Sequence, residues 1–236
     1  MDNLLGDLRL GTLRFAPLAA RRRTKPSAPR AAAEYTGRWG WSVAVGTAPT
    51  RADGRCDCGT AHCAAPGLHA GAGPALTARE LDLPRTADGP LLLPTGLHFD
   101  VLDVPAQPGL QALVRLERMG TQLGPVLASP TGRLLLFVAP GTAQRLPDLL
   151  YRMGWDDASL DLACHGTGGY VAAPPTPLGA LGPMRWLRRP TRENAACPPE
   201  ARLLLGTLAY ACHRHLRDTG NHNRGARNSA PDHALT

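Results

Sequence analysis

The sequence predicts an α/β or α+β domain in which helices pack on one mixed β-sheet. Three observations lead there. From residue 90 to residue 155, apolar runs of strand length alternate with segments whose apolar residues recur at helical spacing. Glycine and proline punctuate them, and 26 glycines with 23 prolines supply turns for many short elements. A chain of 236 residues is long enough to bury a core, in one large domain or two small ones, and alternating strands and helices assemble as layers around a sheet.

In chain order, residues 1–30 join a weakly apolar start to the basic stretch "RRRTKPSAPR" (21–30). This segment reads as a flexible solvated arm, and its charges would also suit contact with phosphates. The domain proper is expected over 31–217. "AAAEYTGRWGWSVAVG" (31–46) reads as a short helix, a glycine turn and a strand from Trp41. "TARELDLP" (77–84) makes a helical turn stopped by Pro84. "PLLLPTGLHFDVLDVP" (90–105) is strand, turn, strand. "GLQALVRLERMG" (109–120) is a helix, with Leu110, Leu113, Val114 and Leu116 on one side and Gly120 as its stop. "PVLASPTGRLLLFVAP" (125–140) is a hairpin turning at "SPTG".

Helix returns at "AQRLPDLLYRMGW" (143–155), where Pro147 would best sit in the first turn. "GGYVAAPP" (168–175) and "MRWLRRP" (184–190) are short strands, and "PPEARLLLGTLAYACHRHLR" (198–217) is a strongly amphipathic helix placed at 199–217. Residues 218–236 are polar and read as a frayed tail. No internal repeat is visible.

The formal net charge is +7, and Lys25 is the only lysine among 26 basic residues. A GC-rich coding sequence, which favours Ala, Gly, Pro and Arg together, is the plain reading of that skew. The charge still favours phosphates or other polyanions as partners. No apolar run approaches the ~20 residues that cross a bilayer. Asp2 and Asp7 precede any basic residue, with no secretory pattern behind them, so the expected location is the cytoplasm and no membrane is expected as a partner. Six cysteines in an intracellular chain point to a metal or to buried free thiols.

Half of those cysteines lie in "RCDCGTAHCAAPGLHA" (55–70). Cys56, Cys58, Cys63 and His69 are spaced C-x-C-x4-C-x5-H, a set able to hold a structural, closed tetrahedral Zn2+ inside a loop at 51–70. Gly59, Pro66 and Gly67 let such a loop fold back on itself. His62 is a rival fourth ligand, although it directly precedes Cys63. Reduced cysteines in a plain loop are the alternative.

Other chemistry finds little support. There is no G-x-S-x-G, and no G-x4-G-K-[ST] phosphate loop. Cys164 and His165 are adjacent in sequence, which argues little for a catalytic pair assembled in space. Cys197 and Cys212 read as structural, and Trp39, Trp41, Trp155 and Trp186 as core.

The order of "RWGWSV", "CDCGTAHCAAPGLHA", "LPTG", "FDVLDVP", "SPTGRLLLFV" and "GGYVAAPP" resembles the N-terminal domain of bifunctional DNA primase/polymerases, the prim-pol group related to archaeo-eukaryotic primases. The resemblance covers about residues 31–190. It retains the family's cysteine loop as Cys56, Cys58, Gly59, Cys63, Pro66, Gly67 and His69, with Leu68 for a lysine and Ala70 for a proline. It implies an α+β fold, an archaeo-eukaryotic-primase-like mixed sheet flanked by helices with an inserted zinc-binding loop. It also implies nucleic acid or nucleotides as partners.

The family's chemistry uses two carboxylates two residues apart on a strand, which share a side and hold Mg2+ or Mn2+. A third acid stands on a neighbouring strand, and a His after a glycine turn contacts the triphosphate. Here the pair reads Asp103-Val104-Pro105, so the second acid is a proline, and Asp100 would face the other side. Gly132 and Arg133 match the turn and serve as the nucleotide or phosphate contact, while Leu134 stands for the His. Asp161 is the candidate third acid, with two residues inserted before "GGYV". The implied catalytic residues are therefore Asp103 and Asp161 in a degenerate site, with nucleotidyl transfer weakened or lost. Mg2+ or Mn2+ is expected only if the chain is catalytic. Two alternatives stand beside this: an active primase/polymerase with a rearranged site, and a non-catalytic regulatory module that binds a protein partner.

Overall fold

The computed structural model describes residues 27–46, 75–81, 89–155, 159–178 and 181–228. Residues 1–26, with most of the basic stretch, and the cysteine loop at 51–70 lie outside the described residues, whereas residues 28–30 already belong to the first helix, three residues ahead of the expected domain start at 31. The chain enters through α1 (Ala28–Ala33), which continues as a π-helical turn (Glu34–Arg38), and then β1 (Ala44–Val45). The middle is β2 (Leu91–Pro94), β3 (Asp100–Pro105), α2 (Ala106–Arg118), β4 (Val126–Ser129), β5 (Arg133–Val138) and α3 (Thr142–Arg152). The remainder is β6 (Ala163–His165), β7 (Tyr170–Ala172), β8 (Arg185–Arg188), α4 (Arg192–Ala196) and α5 (Arg202–Asn228).

The α+β class holds, but the single mixed sheet does not. The strands form a three-stranded sheet, β1-β2-β7, and a five-stranded one, β6-β3-β5-β4-β8, and each named pairing is antiparallel. Alternation of strand and helix suggests parallel neighbours only if the crossover returns the chain beside the strand it left. Here β5 lies between β3 and β4, so the β3–α2–β4 crossover straddles an inserted strand that is antiparallel to both.

The turn at residues 95–98 moves the chain from the small sheet to the large one. Gly96 makes it with φ +95°, a backbone that L side chains rarely adopt, and a Cβ there would collide with the backbone of Thr167. Thr95 N–H donates to the carbonyl of Gly169 at 2.9 Å. The β2–β3 turn is thereby fixed against the β6–β7 turn.

The large sheet is covered on both faces, which is why β5 reads as an uninterrupted apolar run. On one face Phe99, Val101, Leu127, Leu135 and Phe137 meet Trp41 and the small sheet. Trp41 is 4.9 Å from Phe99 and 5.6 Å from Phe137 by ring centroids, and its Nε1 donates to Ala195 O at 3.2 Å. On the other face Leu102, Val104, Leu134, Leu136 and Val138 meet Leu113 and Leu116 of α2 and Leu204, Leu205 and Leu208 of α5.

Several boundaries differ from the sequence expectation. α2 starts at Ala106 with Pro108 in its first turn, and Gly120 (φ +70°) lies just past its end. α3 starts at Thr142, which puts Pro147 inside the helix instead of in its first turn. Pro147 has no N–H to offer the carbonyl of Ala143 one turn earlier. α5 runs on to Asn228, past residue 217. β6 and α4, three and five residues long, had no clear period to announce them. Cys212 is buried, whereas Cys197 is exposed. Among the described residues, no helix is long and apolar enough to cross a membrane.

Candidate functional site

Strand alternation decides which side chains can meet. Asp103 shares a face of β3 with Val101 and Pro105. Its cross-strand partners are Leu135 on β5 and Ala163 on β6, Arg133 stands opposite Pro105, and His165 stands opposite Val101. Residues 161, 163 and 165 repeat every second position, which aims Asp161 and His165 at the same face. Four polar side chains thus converge beside the aromatic core.

Arg133 joins them. Its Nε donates to Asp103 Oδ1 at 2.7 Å, its Nη1 to Asp161 Oδ1 at 2.7 Å, and its Nη2 to the carbonyl of Asp103 at 3.2 Å. His165 Nε2 lies 3.0 Å from Asp103 Oδ2. With Asp103 ionised, that nitrogen carries the shared proton. Both carboxylate oxygens of Asp103 are therefore occupied.

Burial grades the contacts. The Asp103 side chain is 18% exposed and that of Asp161 is 49% exposed, so water screens the second ion pair far more than the first. Burial pushes the Asp103 carboxyl up. The hydrogen bonds from His165 and Arg133, with the charges of both, outweigh burial and leave it below its ordinary value. Burial likewise works against the Arg133 charge, but the two carboxylates raise its pKa above the usual arginine value.

The other sequence-marked positions sort by face. Gly132 sits in the β4–β5 turn with φ +78°; its N–H donates to Ser129 O at 3.1 Å, and its carbonyl accepts from Ala106 N–H at 2.8 Å. The turn is so tied to the start of α2. Asp100 is on the far side, as alternation requires, and is buried. Its Oδ2 accepts from Ala143 N–H at 2.7 Å in the first turn of α3, while Oδ1 has no partner among the described residues.

Leu134, aligned with the family's His, also faces away, packed in the core with α2 and α5. A histidine there would point into that core. Positions 133 and 135 are the ones that face Asp103, so the alignment with the His motif needs correcting by register. Pro105 shares the face of Asp103 and is the N-cap of α2, with no side-chain cap. His165, which the sequence offers only as the neighbour of Cys164, is the fourth member of the cluster. The available signal was the period-two spacing of Asp161 and His165 in "DLACH".

The zinc-ligand candidates Cys56, Cys58, Cys63 and His69 lie outside the described residues. Among the described residues, no group of three His, Cys, Asp or Glu side chains is placed to hold a metal ion. The divalent pair implied by the family does not fit the residues as arranged, because cationic or ring N–H donors hold Asp103 and Asp161 and the second carboxylate position is Pro105.

The class defined here is an α+β domain with an ionised cluster at the ends of three antiparallel strands, on the sheet face opposite two helices. The family model described as "Bifunctional DNA primase/polymerase, N-terminal" matches residues 32–200, and the chain belongs to that family. No curated protein and no solved structure matches the chain.

Because the folded Asp103 carboxyl titrates below its unfolded value of about 3.9, its contacts stabilise the fold fully above that value. The contribution is lost as pH falls through the lower folded value. Asp103→Asn is expected to lower the melting temperature at neutral pH. The gap to the parent should close as pH falls below about 4, measured by circular dichroism melts across pH.

Proposed function

We propose that this chain is a prim-pol protein of nucleic-acid metabolism that binds nucleic acid or nucleotides, with nucleotidyl transfer weakened or lost. One observation carries this reading: the Arg133 guanidinium lies between Asp103 and Asp161, the two acids that the family resemblance assigns to metal binding. A guanidinium supplies one fixed charge and no open coordination position. A divalent ion supplies two charges and can also hold the triphosphate. The arginine therefore offsets one of the two carboxylate charges and fills the gap between them, without the open coordination position that a metal would offer a substrate. It also leaves Arg133 with its Nε, Nη1 and Nη2 engaged, which weighs against a free phosphate contact at that residue.

A second reading, an active enzyme with a rearranged site, draws on the convergence of Asp103, Asp161 and His165. An incoming metal–triphosphate would have to displace Arg133 from two 2.7 Å ion pairs.

Primer extension by the isolated chain with Mg2+ or Mn2+ separates the two. Electrostatic stabilisation of this kind is commonly worth ~3–4 kcal/mol, or about a hundredfold to a thousandfold in rate, so no robust extension is expected. Efficient extension that Asp103→Ala abolishes would establish the second reading instead.

Removing the internal cation gives a sharper result. Arg133→Ala leaves a largely buried carboxylate with only its His165 contact and is expected to destabilise the fold by about 1–3 kcal/mol. Millimolar Mn2+ should restore part of that loss in the variant and leave the parent unchanged. Thermal melts with and without the ion measure both effects.

The cysteine loop is proposed to hold one structural zinc through Cys56, Cys58, Cys63 and His69. Metal analysis of untreated protein should find about one zinc per chain, and Cys58→Ser should lose it, since the ligands hold a loop with little core of its own.

A further inference from the structure

The π-helical turn Glu34–Arg38 has its own consequence at the opposite end of the large sheet. Such a turn accommodates one extra residue and is often found at functional sites. Here Tyr35 points into the core, while Glu34, Arg38 and Trp39 stay at the surface beside β8. A cavity of about 190 Å³ opens between them, walled by Tyr35, Trp39, Trp186 and Pro190, with Arg38 and Arg189 at hand.

Its walls are held in place. The Tyr35 hydroxyl donates to Pro174 O at 2.7 Å and accepts from Trp186 Nε1 at 3.2 Å. Tyr35 and Trp186 meet edge-on, with centroids 6.2 Å apart. The Arg38 guanidinium lies 4.5 Å from the centroid of the Trp39 ring and 3.8 Å from Glu34.

The cavity is distinct from the Asp103 cluster. Asp103, Leu135, Leu127 and Trp186 are successive cross-strand partners on β3, β5, β4 and β8. Three strand spacings, roughly 14 Å, separate the two ends of that row.

Aromatic walls beside arginines select for chemistry. An apolar side chain would make no use of the guanidinium groups, of which Arg38 is already shared with Glu34 and Trp39, and a simple anion would leave the rings unused. A planar heteroaromatic group attached to phosphate uses both. The cavity is smaller than the ~300–1,000 Å³ typical of drug-sized ligand sites, so it suits one ring system. Beyond it, β8 is the sheet edge, with Arg185 exposed on the strand, Arg189 exposed just past its end and Arg192 exposed at the start of α4. Arg188 is tied to Glu117 at 3.2 Å. An arginine-lined edge leading from an aromatic cavity matches the way single strands are held without sequence preference.

We propose that this cavity is a base-binding subsite for single-stranded nucleic acid, in which one base stacks against Trp39 and Trp186 while adjacent phosphates meet Arg38 and Arg189. The proposal rests on the nucleic-acid reading above, and the experiment separates the failure of one from that of the other.

The full chain is titrated at low and moderate salt with a labelled short thymidine oligonucleotide and with an abasic oligonucleotide of equal length, read by fluorescence anisotropy. The parent should bind the thymidine strand more tightly than the abasic one. Trp39→Ala should weaken thymidine binding about thirtyfold, near the middle of the range for loss of one stacked base, and leave abasic binding unchanged. Arg189→Ala should weaken both and lower the salt slope by about 0.7. If Trp39→Ala fails to fold by circular dichroism, Arg189→Glu at an exposed position carries the test, with a larger loss expected on both strands. Equal binding of the two strands by the parent would overturn the subsite and leave nucleic-acid binding standing. Binding that prefers bases but ignores Trp39 and Arg189 would do the same. No binding of either strand would overturn both.

Discussion

A positive charge fixed between two carboxylates governs the polar end of this molecule. Asp103 sits on a central strand of a sheet covered on both faces, where an unpaired carboxylate would be costly. Arg133 and His165 satisfy both of its oxygens. Removing either partner would strand a charge, so the three side chains stand or fall together. Asp161, outside β6 and half exposed, is the loosest member. The cluster also explains why a strand as apolar as β5 can begin with an arginine: Arg133 is the last residue of the strand before solvent, at the point where the sheet runs out of core.

That arrangement depends on the two-sidedness of the large sheet. Odd-numbered residues of β3 and β5 serve the aromatic core and, at its margin, the charged cluster. Even-numbered residues serve the aliphatic core under α2 and α5. A one-residue slip of β5 against β3 would exchange these sets, burying Arg133 and exposing Leu134. The Gly132 turn resists such a slip, since its carbonyl is bound by the first N–H of α2 while its N–H returns to Ser129. The glycine held in family-like sequence thus keeps register, whatever its relation to a ligand.

Much of the fold was legible because strong local patterns coincide with real elements. The runs flanking the Gly96 turn and the "SPTG" hairpin each have one physical solution, whereas only part of the apolar set expected in α2 is buried: Leu113 and Leu116 face the core with Ala112, while Leu110 and Val114 are exposed. Partner choice between strands was not legible, since period-two alternation says which side is buried and nothing about which strand lies alongside. Two antiparallel sheets therefore replaced one mixed sheet. β6 was not legible because three residues, Ala163, Cys164 and His165, make no apolar run, and so neither was the place of His165 beside Asp103. The acids Asp103 and Asp161 were visible as residue types, but their bridge to Arg133 was not, because it spans three strands. The motif position of Leu134 was legible in order and misread in orientation, which only the pairing of β3 with β5 resolves.

Pro105 carries a further consequence. It occupies the N-cap of α2, where an aspartate would usually turn its carboxylate back to the helix N–H groups. The residue two places into that helix, Gln107, would offer its N–H, while Pro108 has none to give. An acid at this position would therefore serve two masters, a helix terminus and whatever cation stood before Asp103. Proline ends that competition, since it presets the backbone for the strand-to-helix corner and demands no counter-charge. Rigidity at the corner and ligand-holding capacity are thus alternative uses of a single residue, and this chain embodies the first.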